Sequence, residues 1–296
     1  MSANERDGRT GGLADVLRVL PTGEDDVFAA GARRSTPERS FGGAVVAQAL
    51  LAAGATVADE RPVHSLHAYF LRVGEASAPT RLRVERVRDG GSYSTRRVTA
   101  EQDGRAILEL TASFSRPEPG FAHQVPALDA PAPAELPTVQ EAAEGTGGAV
   151  GAWFADFPRR HPFDVRFDGE LPRVAAGRGE PAEPRQRFWL RTLEPLPDQP
   201  RLHAAALAYV SDMLLLSTSL APHAQTVGGP GIAAASLDHA VWFHRAARPD
   251  EWLCYEQDSS WSAGGRSLMH GRLFDRAGRL VATVAQEGMI RPLGPR

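Results

Sequence analysis

The stretch Ser236-Leu237-Asp238-His239-Ala240-Val241-Trp242-Phe243-His244-Arg245 decides the fold, because an earlier stretch of the chain resembles it. The earlier stretch reads Ser65-Leu66-His67-Ala68-Tyr69-Phe70-Leu71-Arg72. Both begin with Ser-Leu, pass through His-Ala, and end with an aromatic residue, Phe, one variable residue and Arg. The later copy carries two extra residues. A repeat of this kind indicates that one structural unit was duplicated within the chain.

The sequence that follows each copy supports the duplication. Residues 103–117 contain an acidic residue, Gly-Arg, an apolar run and Arg-Pro, and residues 275–292 contain the same succession. A chain of 296 residues is long enough for two domains of ordinary size. We therefore expect two similar units, and we expect function to depend on the positions at which they differ.

Composition excludes several classes of protein. The formal net charge of −3 provides no basic field for nucleic acid. Cys254 is the only cysteine, so an intramolecular disulfide is excluded, and its apolar surroundings favour a core position. The polar start of the chain does not resemble a signal peptide, and no run approaches 18 apolar residues. These features predict a cytoplasmic protein without a membrane span.

Periodicity predicts the same order of elements in both halves: a long helix followed by an antiparallel meander. Turn signals such as Asp89-Gly90-Gly91 separate the predicted strands of the first half. The predicted helices span residues 13–20, 44–56 and 202–220. The predicted strands span residues 63–71, 80–89, 92–102 and 105–115, then 186–193, 237–245, 252–259, 267–274 and 279–290.

The fold class predicted from these patterns is α+β with an internal duplication. Residues 1–117 form the first unit, and residues 185–296 form the second. Residues 118–184 differ from both: their first part is rich in Pro, Ala and Gly, which is typical of an exposed linker. Their second part is predicted to be irregular, with some of its aromatic residues packed.

Motifs of common catalytic and cofactor sites are absent from the sequence. It contains no G-x-S-x-G, H-E-x-x-H, C-x-x-C or G-x-G-x-x-G pattern, and its nine histidines lack the spacing of metal ligands. The sequence therefore predicts neither a metal nor a cofactor.

Three polar residues of the second copy are candidates for a functional site. Asp212 lies in the predicted helix 202–220 among apolar neighbours, where a carboxylate is costly unless it is solvated, paired or used. Ser236 begins the repeated stretch, and Gln286 lies in an apolar strand whose counterpart has no amide or acid. Each has a structural alternative: a capped aspartate, an edge hydroxyl and a satisfied core amide. All three fall in the same copy, which favours a functional site.

The order of several motifs is similar to one known family. Over residues 28–116 and 185–291 the chain resembles the type II acyl-CoA thioesterases, which are double hotdogs: two units, each a long helix wrapped by an antiparallel sheet. The matching segments are Phe41-Gly42-Gly43, Val63-His64-Ser65, Tyr69-Phe70-Leu71-Arg72, Arg88-Asp89-Gly90, Tyr209-Val210-Ser211-Asp212, Asp238-His239, Trp242-Phe243-His244-Arg245 and Gln286-Glu287-Gly288.

The resemblance implies hydrolysis of an acyl-CoA thioester to a fatty acid and CoA, without a metal or a covalent intermediate. The catalytic set of the family falls on Asp212, Ser236 and Gln286, with Ser236 standing where the family usually has Thr. Asp212 would activate water that the other two residues hold. A backbone N–H at a helix N-terminus would polarise the thioester carbonyl; the candidates are Gly42-Gly43 and the segment 204–208. The resemblance also implies a homo-oligomer of the double unit.

Two alternatives remain open at this point. A hotdog protein could bind acyl-CoA or an acyl carrier without turnover, and the Ser at position 236 allows this. A hotdog dehydratase would instead use a catalytic histidine, for which His64 and His239 are candidates; His64 together with His67 could also act as a base. Structural hydrogen bonding is the favoured role of His64.

Overall fold

The computed structural model describes residues 12–32, 39–127, 129–142 and 144–293. In the first unit, a short helix and two short strands precede a long helix, around which four longer strands are wound. The helices are α1 (Leu13–Val16) and α2 (Gly42–Gly54). The strands are β1 (Val19–Pro21), β2 (Val27–Ala30), β3 (Val63–Phe70), β4 (Thr80–Asp89), β5 (Tyr93–Gln102) and β6 (Arg105–Ser115).

Small residues let helix α2 lie close to the sheet that surrounds it. Ala47, Ala49, Ala52 and Ala53 are fully buried, so the helix has an apolar surface on nearly all sides. A helix that is apolar all round belongs in a core. The strands of this unit are antiparallel in the order β1-β2-β4-β5-β6-β3, and α2 packs against all of them.

The second unit repeats this plan. Its helices are α3 (Val139–Ala142), α4 (Gly148–Arg160), α5 (Pro172–Gly177), α6 (Pro200–Ser211) and α7 (Leu215–Thr218). Its strands are β7 (Phe163–Phe167), β8 (Arg185–Thr192), β9 (Ile232–Ser236), β10 (Asp238–Phe243), β11 (Leu253–Ala263), β12 (Arg266–Asp275) and β13 (Leu280–Pro292). The strand order is β10-β13-β12-β11-β8-β7, and β9 also pairs with β13.

The two repeated stretches join the units. Strand β3 pairs antiparallel with β10, with Tyr69 opposite Asp238 and Ser65 opposite Trp242, so the two sheets run into one. The long helices α2 and α6 pack against each other. The prediction of two hotdog units with their sheets side by side is confirmed.

The segment 118–184 is more ordered in part than the sequence pattern indicated. Strand β7 pairs with β8 and extends the second sheet, because Phe163, Val165 and Phe167 alternate inward and are buried. Helix α4 buries Phe154 and Phe157 against the same core. The prediction of irregular structure is therefore wrong for these residues, where five closely spaced aromatic side chains supply enough apolar surface to order the chain.

Residues Pro200–His223 form the one helical stretch of the described residues that has the length and composition to cross a membrane, with a mean hydropathy of 1.5. In this fold 78% of that apolar window is buried inside the protein. The stretch contains α6, whose apolar faces pack on α2 and on the second sheet. Its composition is therefore that of a core helix.

Candidate active site

Asp212 stands at the end of a helix, and this corrects the sequence prediction of one helix over 202–220. Helix α6 ends at Ser211, Asp212 is its C-cap, and Leu214 adopts a left-handed conformation with φ 62° before α7 begins. A left-handed residue interrupts the helical hydrogen-bond ladder. The carboxylate of Asp212 consequently points toward the first unit, where the Gly43 N–H donates to its Oδ2 at 2.8 Å.

Side chains of the second sheet compensate the break after α6. The chain turns without its helical partners at this point, so its buried carbonyls need other donors. The three donors come from strands β8 and β11. They are the Tyr255 hydroxyl to the Ser211 carbonyl at 2.5 Å, Gln257 Nε2 to the Met213 carbonyl at 2.7 Å and Gln186 Nε2 to the Leu214 carbonyl at 3.0 Å.

The Gly42-Gly43 pair lets helix α2 begin against this carboxylate. A Cβ on Gly42 would lie 2.9 Å from Asp212 Oδ2 and 2.9 Å from the Phe70 ring. A Cβ on Gly43 would lie 2.6 Å from the Tyr209 carbonyl oxygen. Larger residues at either position would push the α2 N-terminus away from Asp212. The first N–H groups of a helix have no partner within the helix. In α2 the Gly43 N–H is directed at the Asp212 carboxylate, whose negative charge the helix dipole favours at this end.

Burial dominates the electrostatics of Asp212. Only 8% of the residue is exposed. Burial raises the pKa of its carboxyl from 3.8 to about 7, while hydrogen bonds from the Gly43 N–H and from the Gln286 side chain act in the opposite direction. A carboxyl with a pKa close to neutral can both take and return a proton at physiological pH.

Gln286 connects the other candidate residues to Asp212. It lies on β13, is 1% exposed, and its Nε2 donates to Ser236 Oγ at 3.0 Å. Its side chain also hydrogen-bonds to Asp212. The structure thus brings Asp212, Ser236 and Gln286 together, although they come from a helix end and two different strands.

His239 fixes the orientation of the Gln286 amide. Its Nδ1–H donates to Gln286 Oε1 at 2.5 Å, since a carbonyl oxygen can only accept. Its Nε2 lies 2.7 Å from the Ser211 hydroxyl and can accept that proton when the ring is neutral. Burial lowers the pKa of His239 to about 4, so the ring is neutral near pH 7. This side chain therefore holds an amide rather than facing a substrate.

Ser236 owes its position to an irregularity between two strands, and this corrects the prediction that it begins the strand that carries the repeated stretch. It ends β9, opposite Gly288, and β10 begins at Asp238. Ala240 then lies opposite Ala285. From 236 to 240 the chain advances four residues while β13 advances three from 288 to 285, so one extra residue is inserted as a β-bulge. Bulges redirect side chains and are common next to active sites.

The histidine alternatives lie away from this cluster or are already engaged. His64 contacts Ser113 Oγ at 2.8 Å near the start of β3, whereas Phe70, which borders the site, ends that strand. Six residues of extended strand span about 20 Å. His67 is exposed on the outer face and stacks edge-on against Trp242.

Of the two candidate donors for the thioester carbonyl, the segment 204–208 is wrong. Helix α6 begins at Pro200, so these residues lie within the helix, where backbone N–H groups are used by the helix itself. The Gly42-Gly43 candidate does lie at a helix N-terminus beside Asp212.

Sequence reasoning missed the supporting residues of the site. Ser211, Tyr255 and Gln257 hold the end of α6, and His239 was considered only as a dehydratase base. Ser211 and His239 do lie inside the motifs Tyr209-Val210-Ser211-Asp212 and Asp238-His239, which was the available signal. Among the described residues, no group of three or more His, Cys, Asp or Glu side chains is placed to hold a metal ion. Cys254 is buried, and burial raises the pKa of its thiol to about 12.

Comparison with known proteins identifies the family. Residues 32–115 match the model of the acyl-CoA thioesterase N-terminal domain, and residues 129–290 match that of the C-terminal domain. Acyl-coenzyme A thioesterase 8 of Rattus norvegicus is 35% identical over 94% of this chain and 88% of its own length. Acyl-CoA thioesterase 2 of Haemophilus influenzae is 36% identical over 85% of this chain and 87% of its own.

A solved structure of similar extent is the acyl-CoA thioesterase II TesB2 from Mycobacterium marinum. It is 39% identical, covers 96% of this chain and 99% of its own, and superposes with a TM-score of 0.76. Matches to both domain models, in the same order and over most of the chain, leave one assignment. The chain belongs to the acyl-CoA thioesterase family.

Proposed function

We propose that this protein hydrolyses acyl-CoA to a free fatty acid and CoA, with water activated by Asp212. The observation that carries the proposal is the buried carboxylate of Asp212, held by the Gly43 N–H at 2.8 Å and hydrogen-bonded to Gln286. Relatives at 35% and 36% identity are named acyl-CoA thioesterases, which supports the same reaction class here.

In the proposed reaction Asp212 acts as a general base. Its carboxylate accepts a proton from water as the water oxygen attacks the thioester carbonyl carbon. The tetrahedral intermediate then collapses, the carbon–sulfur bond breaks, and the proton held by Asp212 is available to the departing CoA thiolate. A positioned base of this kind contributes roughly 10²–10⁴ in rate.

Ser236 and Gln286 position the water in this proposal. Gln286 Nε2 donates to Ser236 Oγ, so the serine hydroxyl proton is free to reach a water beside Asp212. Holding the reactants together removes much of the entropic cost of the attack. The α2 N-terminus lies beside Asp212, and its positive dipole end favours the developing oxyanion, although the Gly43 N–H is already held by Asp212.

Release of CoA thiol from a panel of acyl-CoA substrates of different chain length tests the proposed function. Turnover that disappears in Asp212→Asn, with acyl-CoA binding retained, supports the mechanism. Tight binding without thiol release would favour the non-catalytic alternative. Hydration of an enoyl thioester at a higher rate than hydrolysis would favour the dehydratase alternative.

We also propose that the protein works in cytoplasmic lipid metabolism as a homo-oligomer. The exposed face of the joined sheet supports association, because Tyr69, Leu71 and Val73 are 62%, 45% and 60% exposed on one strand and its extension. Light scattering at micromolar concentration tests the oligomeric state, and a monomer would contradict the proposal.

Fractionation of the native cell tests the proposed cytoplasmic location.

A further inference from the structure

A cavity lies at the opposite end of the helix pair from Asp212. Its volume is about 390 Å³, within the range of ligand pockets. The C-terminal half of α2 and the first turns of α6 form one side, and strands β3 and β6 form the other. Its apolar walls come from Leu50, Val63, Phe114 and Ala204.

The helices place this cavity as the counterpart of the catalytic site under the internal duplication. Gly43, the second residue of α2, approaches Asp212, which is the thirteenth residue counted from the start of α6 at Pro200. Arg201 is the second residue of α6, and it lies against Gly54, the thirteenth residue of α2. The two ends of the helix pair are therefore equivalent, except that glycine stands where the other end has a carboxylate.

The strands give the same correspondence. The Leu71 and Arg72 N–H groups both donate to the Ile107 carbonyl, as the His244 and Arg245 N–H groups donate to the Val281 carbonyl. Counted from these points, Ser236 corresponds to Val63 rather than to Ser65, with which the sequence repeat aligns it. Val63 lies opposite Phe114 in the cavity wall, as Ser236 lies opposite Gly288. The cavity therefore lies where the duplication places the counterpart of the Asp212 site, and Gly54, Val63 and Ala112 stand in place of Asp212, Ser236 and Gln286.

One cation at this cavity has capacity for an anion. Arg61 donates through Nη1 to Ser94 Oγ at 2.7 Å and through Nη2 to the Gly91 carbonyl at 2.9 Å, both neutral acceptors. Its Nε is buried without a hydrogen-bond partner. Nη1 and Nη2 each carry a second N–H, so a ligand carboxylate at the guanidinium could accept two charge-assisted hydrogen bonds.

The two acidic residues that line the cavity do not pair with Arg61, and Glu60, whose pKa the nearby Arg61 charge helps to lower, pairs with Arg116 at 3.1 Å. Asp59 pairs with Arg201 at 2.7 Å, and its side chain is 94% exposed. Asp198 pairs with Arg248 at 3.1 Å and is 88% exposed. Both carboxylates therefore face solvent and are bound to other guanidinium groups.

We propose that this cavity is a second, non-catalytic binding site for a long-chain carboxylate, a free fatty acid. The carboxylate lies at the Arg61 guanidinium and near the start of α6, where the protein lacks the carboxylate that Asp212 supplies at the other end. The alkyl chain lies along Leu50, Val63 and Phe114. The inference is about binding and does not depend on turnover at Asp212.

Titration calorimetry with dodecanoate on the full-length protein tests this site. Arg61→Gln should weaken dodecanoate binding at one site by about tenfold or more, the range for a hydrogen bond to a charged group. Ala204→Leu should weaken it similarly, because the larger side chain fills the cavity while suiting the helix. Dodecan-1-ol should bind wild type and Arg61→Gln equally, because it carries no charge.

Thiol release from acyl-CoA and thermal unfolding serve as controls, and both variants should match wild type within about twofold in rate. Dodecanoate that binds both variants as it binds wild type, or that does not bind wild type at all, would overturn the proposal. If one variant does not fold, the other decides. Wild-type protein that binds dodecanoate but releases no thiol from acyl-CoA would overturn the proposed function and leave this site standing.

Discussion

Asp212 should make the protein less stable as the pH rises. Burial raises its folded-state pKa from 3.8 to about 7, so over this interval the folded state holds a proton that the unfolded state has released. The stability that the protonated group provides is fully present below pH 3.8 and is lost as pH rises through about 7. Asp212→Asn removes this dependence, because an amide does not titrate.

The expected magnitude follows from the same shift. Between pH 5 and pH 7 the stability of the wild type relative to the variant falls at first by about 1.4 kcal/mol per pH unit and at half that rate near pH 7, so the total change is about 2 kcal/mol. Constant effects of the substitution, such as an amide proton facing the Gln286 amide, cancel in this change. A change of about 2 kcal/mol corresponds to a relative change in Tm of roughly 4–8 °C.

Urea unfolding of both proteins at pH 5, 6, 7 and 8 measures the effect, with Glu118→Gln as a control because Glu118 is an exposed carboxylate. The stability of Asp212→Asn relative to the wild type should rise up to about pH 7 and then level off. A gap that is constant across this range would refute the reasoning, because it would mean that Asp212 ionises with its ordinary pKa in the folded protein.

Further changes test the chemistry of the same group. In the wild type, kcat/KM should rise with pH through about 7, and Asp212→Asn should lower kcat at least roughly a hundredfold with little change in acyl-CoA binding. Gln286→Ala and Ser236→Ala should each lower kcat less and combine non-additively, and Ser236→Thr should keep or raise the rate; additive losses would contradict a shared water. His239→Leu should lower kcat about tenfold at unchanged KM, while His239→Asn keeps a donor for Gln286 and should retain more activity; equal losses would indicate a structural role. Gly42→Ala should lower both activity and Tm, because its Cβ would meet Asp212 Oδ2 at 2.9 Å, and an unaffected variant would contradict that close approach.

The strands of both meanders could be predicted from sequence within a few residues. Their alternating patterns and hairpin signals are local, so Thr80–Asp89 and Arg105–Ser115 begin and end where predicted. The break of the helix after Ser211 could not be predicted this way. It depends on donors such as Tyr255, which reaches the Ser211 carbonyl from 44 residues away, and single-sequence periodicity contains no such information.

The composition of the candidate site was visible in the sequence, but its internal order was not. Gln286 stands out because the corresponding strand of the first copy has no amide or acid, Asp212 because its neighbours are apolar, and Ser236 because it falls in the same copy. The direction of the Gln286 amide depends on His239, which lies 47 residues away in sequence. The segment 118–184 was misjudged for a different reason: its Pro and Gly content outweighed the aromatic side chains that order β7 and α4. The division of the chain into residues 1–117, 118–184 and 185–296 stays a prediction.

The pairing of β3 with β10 takes place within one chain, and this changes which substitutions selection can act on separately. Two identical chains related by a twofold axis must carry two identical sites, so any substitution appears in both at once. Covalent union of the copies removes that obligation, and each end of the α2–α6 pair can then evolve alone. A single gene can in this way give up catalysis at one end while keeping it at the other, without ever passing through an inactive protein.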